Sequence, residues 1–138
     1  MNFLIIGSGF GIYGYLPAVY KFSKQIYLSS KYKAKFYSRV ELLKYEKKIF
    51  WYDQINSIIK NIDYAILAKR PNDQLSLVKH LYNKKKFKHI FLEKPLDVNP
   101  MRSSKILLFL KKKKIKYSIG FIFKYLKWYN LIKKNKDT

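Results

Sequence analysis

Residues Asn2–Ala18 read NFLIIGSGFGIYGYLPA, and the fold turns on this stretch. Asn2 to Ile6 is short, mostly apolar and suited to a strand. It runs straight into Gly7, Gly9, Gly11 and Gly14. A strand that meets a glycine-rich turn and then a helix is the dinucleotide-binding fingerprint. One glycine lets the chain turn tightly after the strand. A second lets the backbone approach a pyrophosphate, which rests on the N–H groups and positive end of the helix.

Two registers fit these glycines. Gly7-x-Gly9-x-x puts Ile12 at the third position, whereas Gly9-x-Gly11-x-x-Gly14 completes the pattern but starts two residues late. The first is preferred, because the turn glycine belongs beside the strand. Ile12 then crowds a place where helix and strand pack closely, and Gly11 is expected to relieve it. The candidate cofactor contacts here are Gly7, Gly9, Phe10 and Gly11.

With 138 residues the chain is long enough for one domain with a real core. It has no cysteine, which excludes disulfides and thiolate chemistry and fits a reducing compartment. No apolar run reaches the length of a membrane span, and no basic leader precedes the first one. The expected setting is the cytoplasm. No metal site is read from the sequence.

The net charge of +22 points first to nucleic acid or an anionic membrane surface. All but Arg39, Arg70 and Arg102 of the 30 basic residues are lysine, however. Specific nucleic-acid readers lean on arginine for bidentate contacts. Abundant Lys, Asn, Ile and Tyr together suggest drift in an AT-rich genome. A solvated lysine surface is the favoured explanation, and nucleic acid the lesser one.

Further along, Leu16 to Lys24 reads as the first helix, with Pro17 tolerated in its first turn. Gln25 to Ser29 reads as a second strand. An NAD binder carries an acid near its end to hold a ribose hydroxyl. Here stand Ser29, Ser30 and Lys31, and hydroxyls with a cation suit a 2′-phosphate, so NADP is favoured over NAD. Tyr32 to Tyr45 is helix-compatible, with Phe36, Val40 and Leu43 on one face. Ile49 to Tyr52 is a third strand, and Asp53 is placed to cap a helix over Gln54 to Lys60. Ile62 to Ala68 reads as a central strand buried on both faces. Asn72 or Asp73 caps a helix over Gln74 to Asn83, whose core face is Leu75, Leu77, Val78 and Leu81. Lys88 to Leu92 is a fifth strand ending in Glu93-Lys94-Pro95. Asn99 or Pro100 opens a helix through Lys113, with Ile106, Leu107 and Leu110 inward, and Ile115 to Gly120 is a sixth strand. This alternation predicts an α/β doubly wound parallel sheet, a Rossmann fold, over residues 1–120. A basic-aromatic tail follows over residues 121–138.

Gly7-Ser8-Gly9 in the first turn and Glu93-Lys94-Pro95 after the fifth strand resemble two landmarks of the Gfo/Idh/MocA oxidoreductases. Leu16-Pro17-Ala18 is also similar to that family's first helix, with Tyr15 where many members carry histidine. The resemblance runs from Asn2 to about Trp128. It implies an NAD(P) site in which Glu93 helps position the ribose and Pro95 sets the loop, often through a cis bond. It also implies that Lys94 sits near the nicotinamide and the substrate hydroxyl. A lysine there suits hydride transfer, since the hydroxyl proton must be held or removed. After the fourth strand the family's Thr-Pro-Asn-x-x-His is replaced by Arg70-Pro71-Asn72-Asp73-Gln74-Leu75. Arg70 and Pro71 join the candidate cofactor residues, Arg70 as a partner for a phosphate or anionic substrate.

Family members continue into a second domain that supplies a catalytic histidine and most of the substrate pocket. This chain is expected to lack it, and neither His80 nor His89 can replace that histidine. Phe121, Phe123, Tyr125, Trp128 and Leu131 then look like a lead into that domain, and an exposed apolar tail predicts self-association. The implied reaction, on a sugar, cyclitol or sugar nucleotide, requires a substrate domain, in trans if not in the same chain. The alternatives are a nucleic-acid or anionic-surface module on a Rossmann scaffold and a non-catalytic subunit or remnant.

Overall fold

A computed structural model describes residues 1–58, 61–84 and 87–121. Six strands form one parallel sheet: β1 (Asn2–Ile6), β2 (Gln25–Ser29), β3 (Ile49–Tyr52), β4 (Tyr64–Leu67), β5 (His89–Leu92) and β6 (Lys116–Ile119). Their order is β3-β2-β1-β4-β5-β6, and every neighbouring pair is parallel. The chain therefore winds outward from β1 to one side, then returns and winds to the other. The point of return, between the C-terminal ends of β1 and β4, is where doubly wound sheets bind ligands.

The central strands are apolar on both faces because both faces are covered. Leu4, Ile6, Ala65, Leu67, Ile90 and Leu92 pack with Val78 and Leu81 of α3 (Gln74–Lys84) and Ile106 and Leu110 of α4 (Pro100–Lys112). Phe3, Ile5, Ile26, Leu28 and Ile66 face the other way, onto Ile12, Leu16, Phe36 and Leu42. α4 opens as expected, with the Asn99 side chain accepting from the backbone N–H groups of Met101 (2.8 Å) and Arg102 (3.4 Å).

Three sequence expectations need correction. The first helix begins as a π-helical turn over Gly11–Tyr15, continues as α1 (Leu16–Tyr20), and stops before Lys24. Lys48 Nζ donates to the Tyr20 and Ser23 carbonyls, both at 2.8 Å, and Lys24 N–H already bonds Met1 at 2.7 Å, aligning the chain for β2. The expected helix over Tyr32–Tyr45 is instead α2 (Lys33–Tyr37) and, after a break, a 3-10 run over Val40–Lys48. The Ser38 hydroxyl donates to the Lys35 carbonyl, and Arg39 is extended, which rotates the following face. Leu42 is consequently buried, while Val40 is 79% exposed and Leu43 also lies outside. Third, of the helix expected over Gln54 to Lys60, whose positions 59 and 60 lie outside the described residues, the described part is a single 3-10 turn over Ile55–Ser57, and the Asp53 carboxylate caps no helix there but accepts the Ser30 hydroxyl.

Among the described residues no helix is long and apolar enough to cross a membrane. Phe121 is exposed; the rest of the tail expected over residues 121–138 lies outside the described residues.

Candidate functional site

The turn after β1 rests on the end of β4. Gly7 has φ +141°, and a side chain there would overlap the Ala68 carbonyl. Only glycine suits both conditions. A Cβ at Gly9 would meet nothing within 4 Å, so this backbone faces open space. A Cβ at Gly11 would lie 3.2 Å from Ile5 Cγ2 and 3.5 Å from Ala68 Cβ. Gly11 thus makes the close helix–strand contact, and Ile12 is fully buried in the core rather than crowding the turn. Phe10 is more than half exposed, with its ring edge-on to Tyr15 at 5.0 Å.

A cleft of about 530 Å³ opens beside this turn, lined by Ser8, Gly9, Lys35, Ala68, Lys69, Arg70 and Asp73. Sequence reasoning found Gly9 and Arg70. It missed Lys69 and Lys35, since in so lysine-rich a chain no local pattern sets either apart. Lys35 comes from α2, with its Nζ 5.2 Å from the centre of the Tyr13 ring. Pro71 opens the 3-10 turn Pro71–Asp73 that leads into α3. Tyr32 reaches the Gly7 backbone with its hydroxyl, and burial holds its pKa above the usual tyrosine value.

Glu93-Lys94-Pro95 leaves β5 at the same edge of the sheet. The Tyr15 hydroxyl donates to Glu93 Oε2, and Glu93 Oε1 accepts from the Lys94 backbone N–H at 3.1 Å. Burial, then the hydrogen bond and charge of Glu93, push the Tyr15 pKa well up, so this hydroxyl stays a donor. Gln74 is fully buried, and its Nε2 donates to the Glu93 carbonyl at 2.7 Å and the Pro95 carbonyl at 3.0 Å. It therefore clamps the backbone on both sides of Lys94, which is half-buried. The Lys94–Pro95 bond is cis. Gly120, just past β6, leaves room for this cluster: a Cβ there would come within 3.3 Å of the Tyr15 hydroxyl and Glu93 Oε2. Gln74 and Gly120 carried no recognisable signal in the sequence.

At the ends of β2 and β3, Ser29 is buried, Ser30 donates its hydroxyl to Asp53, and Lys31 is exposed. His80 lies exposed on α3. His89 begins β5 at the opposite edge, with Nε2 3.0 Å from Ser118 Oγ.

The sequence profile described as "Oxidoreductase family, NAD-binding Rossmann fold" (GFO_IDH_MocA) matches residues 1–121. The chain belongs to the Gfo/Idh/MocA oxidoreductases. Comparison with curated protein sequences gave no match. Solved structures of similar fold include one assigned as a myo-inositol dehydrogenase from Sinorhizobium meliloti, at TM-score 0.69 and 18% identity, covering 99% of this chain and 41% of that one. An oxidoreductase from Agrobacterium radiobacter in complex with NAD+, L-tartaric acid and magnesium aligns at TM-score 0.67 and 14% identity, over 91% of this chain and 36% of the other. The WlbA dehydrogenase from Chromobacterium violaceum, in complex with NADH and UDP-GlcNAcA, aligns at 0.65 and 14% identity, over 86% and 34%. This Gfo/Idh/MocA chain thus spans about two fifths of the length of such neighbours.

Proposed function

We propose that the cleft between the glycine turn and the end of β4 binds NAD(H) or NADP(H), and that the chain serves hydride transfer at a hydroxyl carbon. The observation that carries this is convergence: the glycine turn, a cleft walled by Lys35, Lys69 and Arg70, and the Glu93-Lys94-Pro95 loop share one sheet edge. The residues fit the dinucleotide. Gly9 presents uncovered backbone, and the three cations suit a pyrophosphate. The nicotinamide, when bound, accepts or returns the hydride. Lys94 holds or removes the proton of the substrate hydroxyl, while Gln74 and Glu93 fix its backbone. Phe10, Gly11, Pro71 and Pro95 lie outside the lining of the cleft and enter the reading as parts of the turns and the loop that flank it.

The substrate class is a sugar, cyclitol or sugar nucleotide. The inositol dehydrogenase assignment and the UDP-GlcNAcA complex among the structural neighbours support that choice. Residues 1–120 form the cofactor unit and 121–138 lead toward a substrate-binding domain, supplied in trans if not by the same chain. A cysteine-free chain fits a reducing, cytoplasmic setting. The choice between the two dinucleotides falls at the ends of β2 and β3, where Ser29, Ser30 and Lys31 alone would suit NADP by residue type but the Asp53 carboxylate stands beside them.

Titration with NADH and NADPH by fluorescence, repeated at high salt, tests the reading. Saturable binding that survives salt is expected. Binding that vanishes with salt and is matched by any polyanion overturns it. That outcome would favour a second reading, an anion-binding surface. One observation favours it: a groove of about 490 Å³ at the opposite sheet edge, where Tyr82, Phe87 and Ile115 lie among Lys88, Lys113, Lys114 and Lys116.

A further inference from the structure

In a doubly wound dinucleotide fold the adenosine ribose lies at the end of the second strand, and an acid there reads its 2′-hydroxyl. The end of β2 in this chain has no acid of its own. The register of the sheet supplies one from the neighbouring strand. Ser29 of β2 pairs with Tyr52 of β3, so the next residues, Ser30 and Asp53, emerge side by side at the C-terminal edge. There the Ser30 hydroxyl donates to Asp53 Oδ1.

We propose that Asp53, docked on Ser30, is the acidic group that reads the adenosine ribose, and that it selects NAD(H) over NADP(H). The inference rests on the dinucleotide reading above and reverses the cofactor preference expected from Ser29, Ser30 and Lys31.

Hydrogen-bond roles decide the matter. Ser30 has one hydroxyl hydrogen, and it is committed to the carboxylate. What the pair offers a ligand is therefore acceptor capacity: two carboxylate oxygens and the remaining lone pairs of the hydroxyl. A ribose hydroxyl has a hydrogen to give. A 2′-phosphate has charge near two negatives and mainly acceptor oxygens, and it meets a carboxylate as a like charge. The nearby cations offset this poorly. Lys33 Nζ lies 5.9 Å from the Trp51 ring centre, and Lys35 is turned to Tyr13 and the glycine turn. Lys31 remains beside Ser30 as an exposed point charge. One hydrated ammonium does not outweigh an adjacent carboxylate together with a hydroxyl that has no proton left to donate.

The test is the ratio of NADH to NADPH dissociation constants for the full chain at physiological ionic strength, in the unaltered protein and in Asp53→Asn. NADH is expected to bind at least about tenfold more tightly than NADPH. In Asp53→Asn the ratio is expected to fall toward one, chiefly because NADPH binding strengthens. Displacement of bound NADH from the unaltered protein by 5′-AMP and by 2′,5′-ADP needs no variant to fold, and 5′-AMP is expected to be the better competitor. NADPH binding the more tightly, 2′,5′-ADP competing the better, or an unchanged ratio in a folded Asp53→Asn protein overturns the proposal while leaving the dinucleotide site standing. Absence of saturable binding by either dinucleotide removes the site and the proposal with it.

Discussion

Gly7 and Gly9 stand two residues apart and are held by different demands. At Gly7 a positive φ and contact with the Ala68 carbonyl leave no room for a side chain; at Gly9 an added methyl meets nothing. Gly7→Ala is therefore expected to cost about 2 kcal/mol or more in urea denaturation. Gly9→Ala should leave the urea midpoint nearly unchanged and weaken dinucleotide binding instead. Equal losses of stability in both variants would contradict the difference drawn here. Gln74 presents a third demand. Gln74→Leu keeps an apolar stem but orphans the carbonyls of Glu93 and Pro95, at a cost of about 1–3 kcal/mol for each that stays buried. The glycines were legible because their requirement is local. Gln74 was not, because the groups it serves lie 19 and 21 positions away.

The elements were read well where one local rule governed them. α4 has its asparagine cap at the start and inward-facing Ile106 and Leu110 along its length. Asn99→Ala is expected to lower stability by about 1 kcal/mol, read from the shift in urea midpoint. The segment after β2 was misread because its apolar spacing also suits a continuous helix. The Ser38 hydroxyl and the extended Arg39 break it, exchanging Leu42 for Val40 and Leu43 inside. β5 carries a pH dependence of its own. Burial, then the Lys116 charge, holds His89 below its ordinary value of 6.5. The unfolded chain takes up that proton more readily, so the contribution is complete above pH 6.5 and is lost as pH falls below it. Asp63, held low by its bond from Lys88, adds a second loss below its ordinary 3.8. Melting temperature should decline on acidification, and His89→Gln should flatten the upper part of that decline.

Across the whole molecule, alternation of strands and helices was enough to predict a doubly wound sheet. The meeting of Asp53 with Ser30 needed the strand pairing itself, since 23 positions separate them. A net charge of +22 on a chain of 138 residues makes self-repulsion a standing cost. Stability is therefore expected to rise from low to physiological ionic strength as the lysines are screened, and a flat response would show that cost to be negligible. The strand order has a kinetic consequence as well. β1 lies between β2 and β4, and its Asn2 N–H bonds the Asp63 carboxylate 61 positions away. Until that span has closed, one ladder edge of the most apolar strand stays open and sticky. Ring closure over such a distance is slow relative to local helix formation, so nascent copies pass through an interval in which β1 invites mispairing with other chains. Assistance from a chaperone that shields extended apolar segments would act in that interval, before the glycine turn has a β4 terminus to rest on.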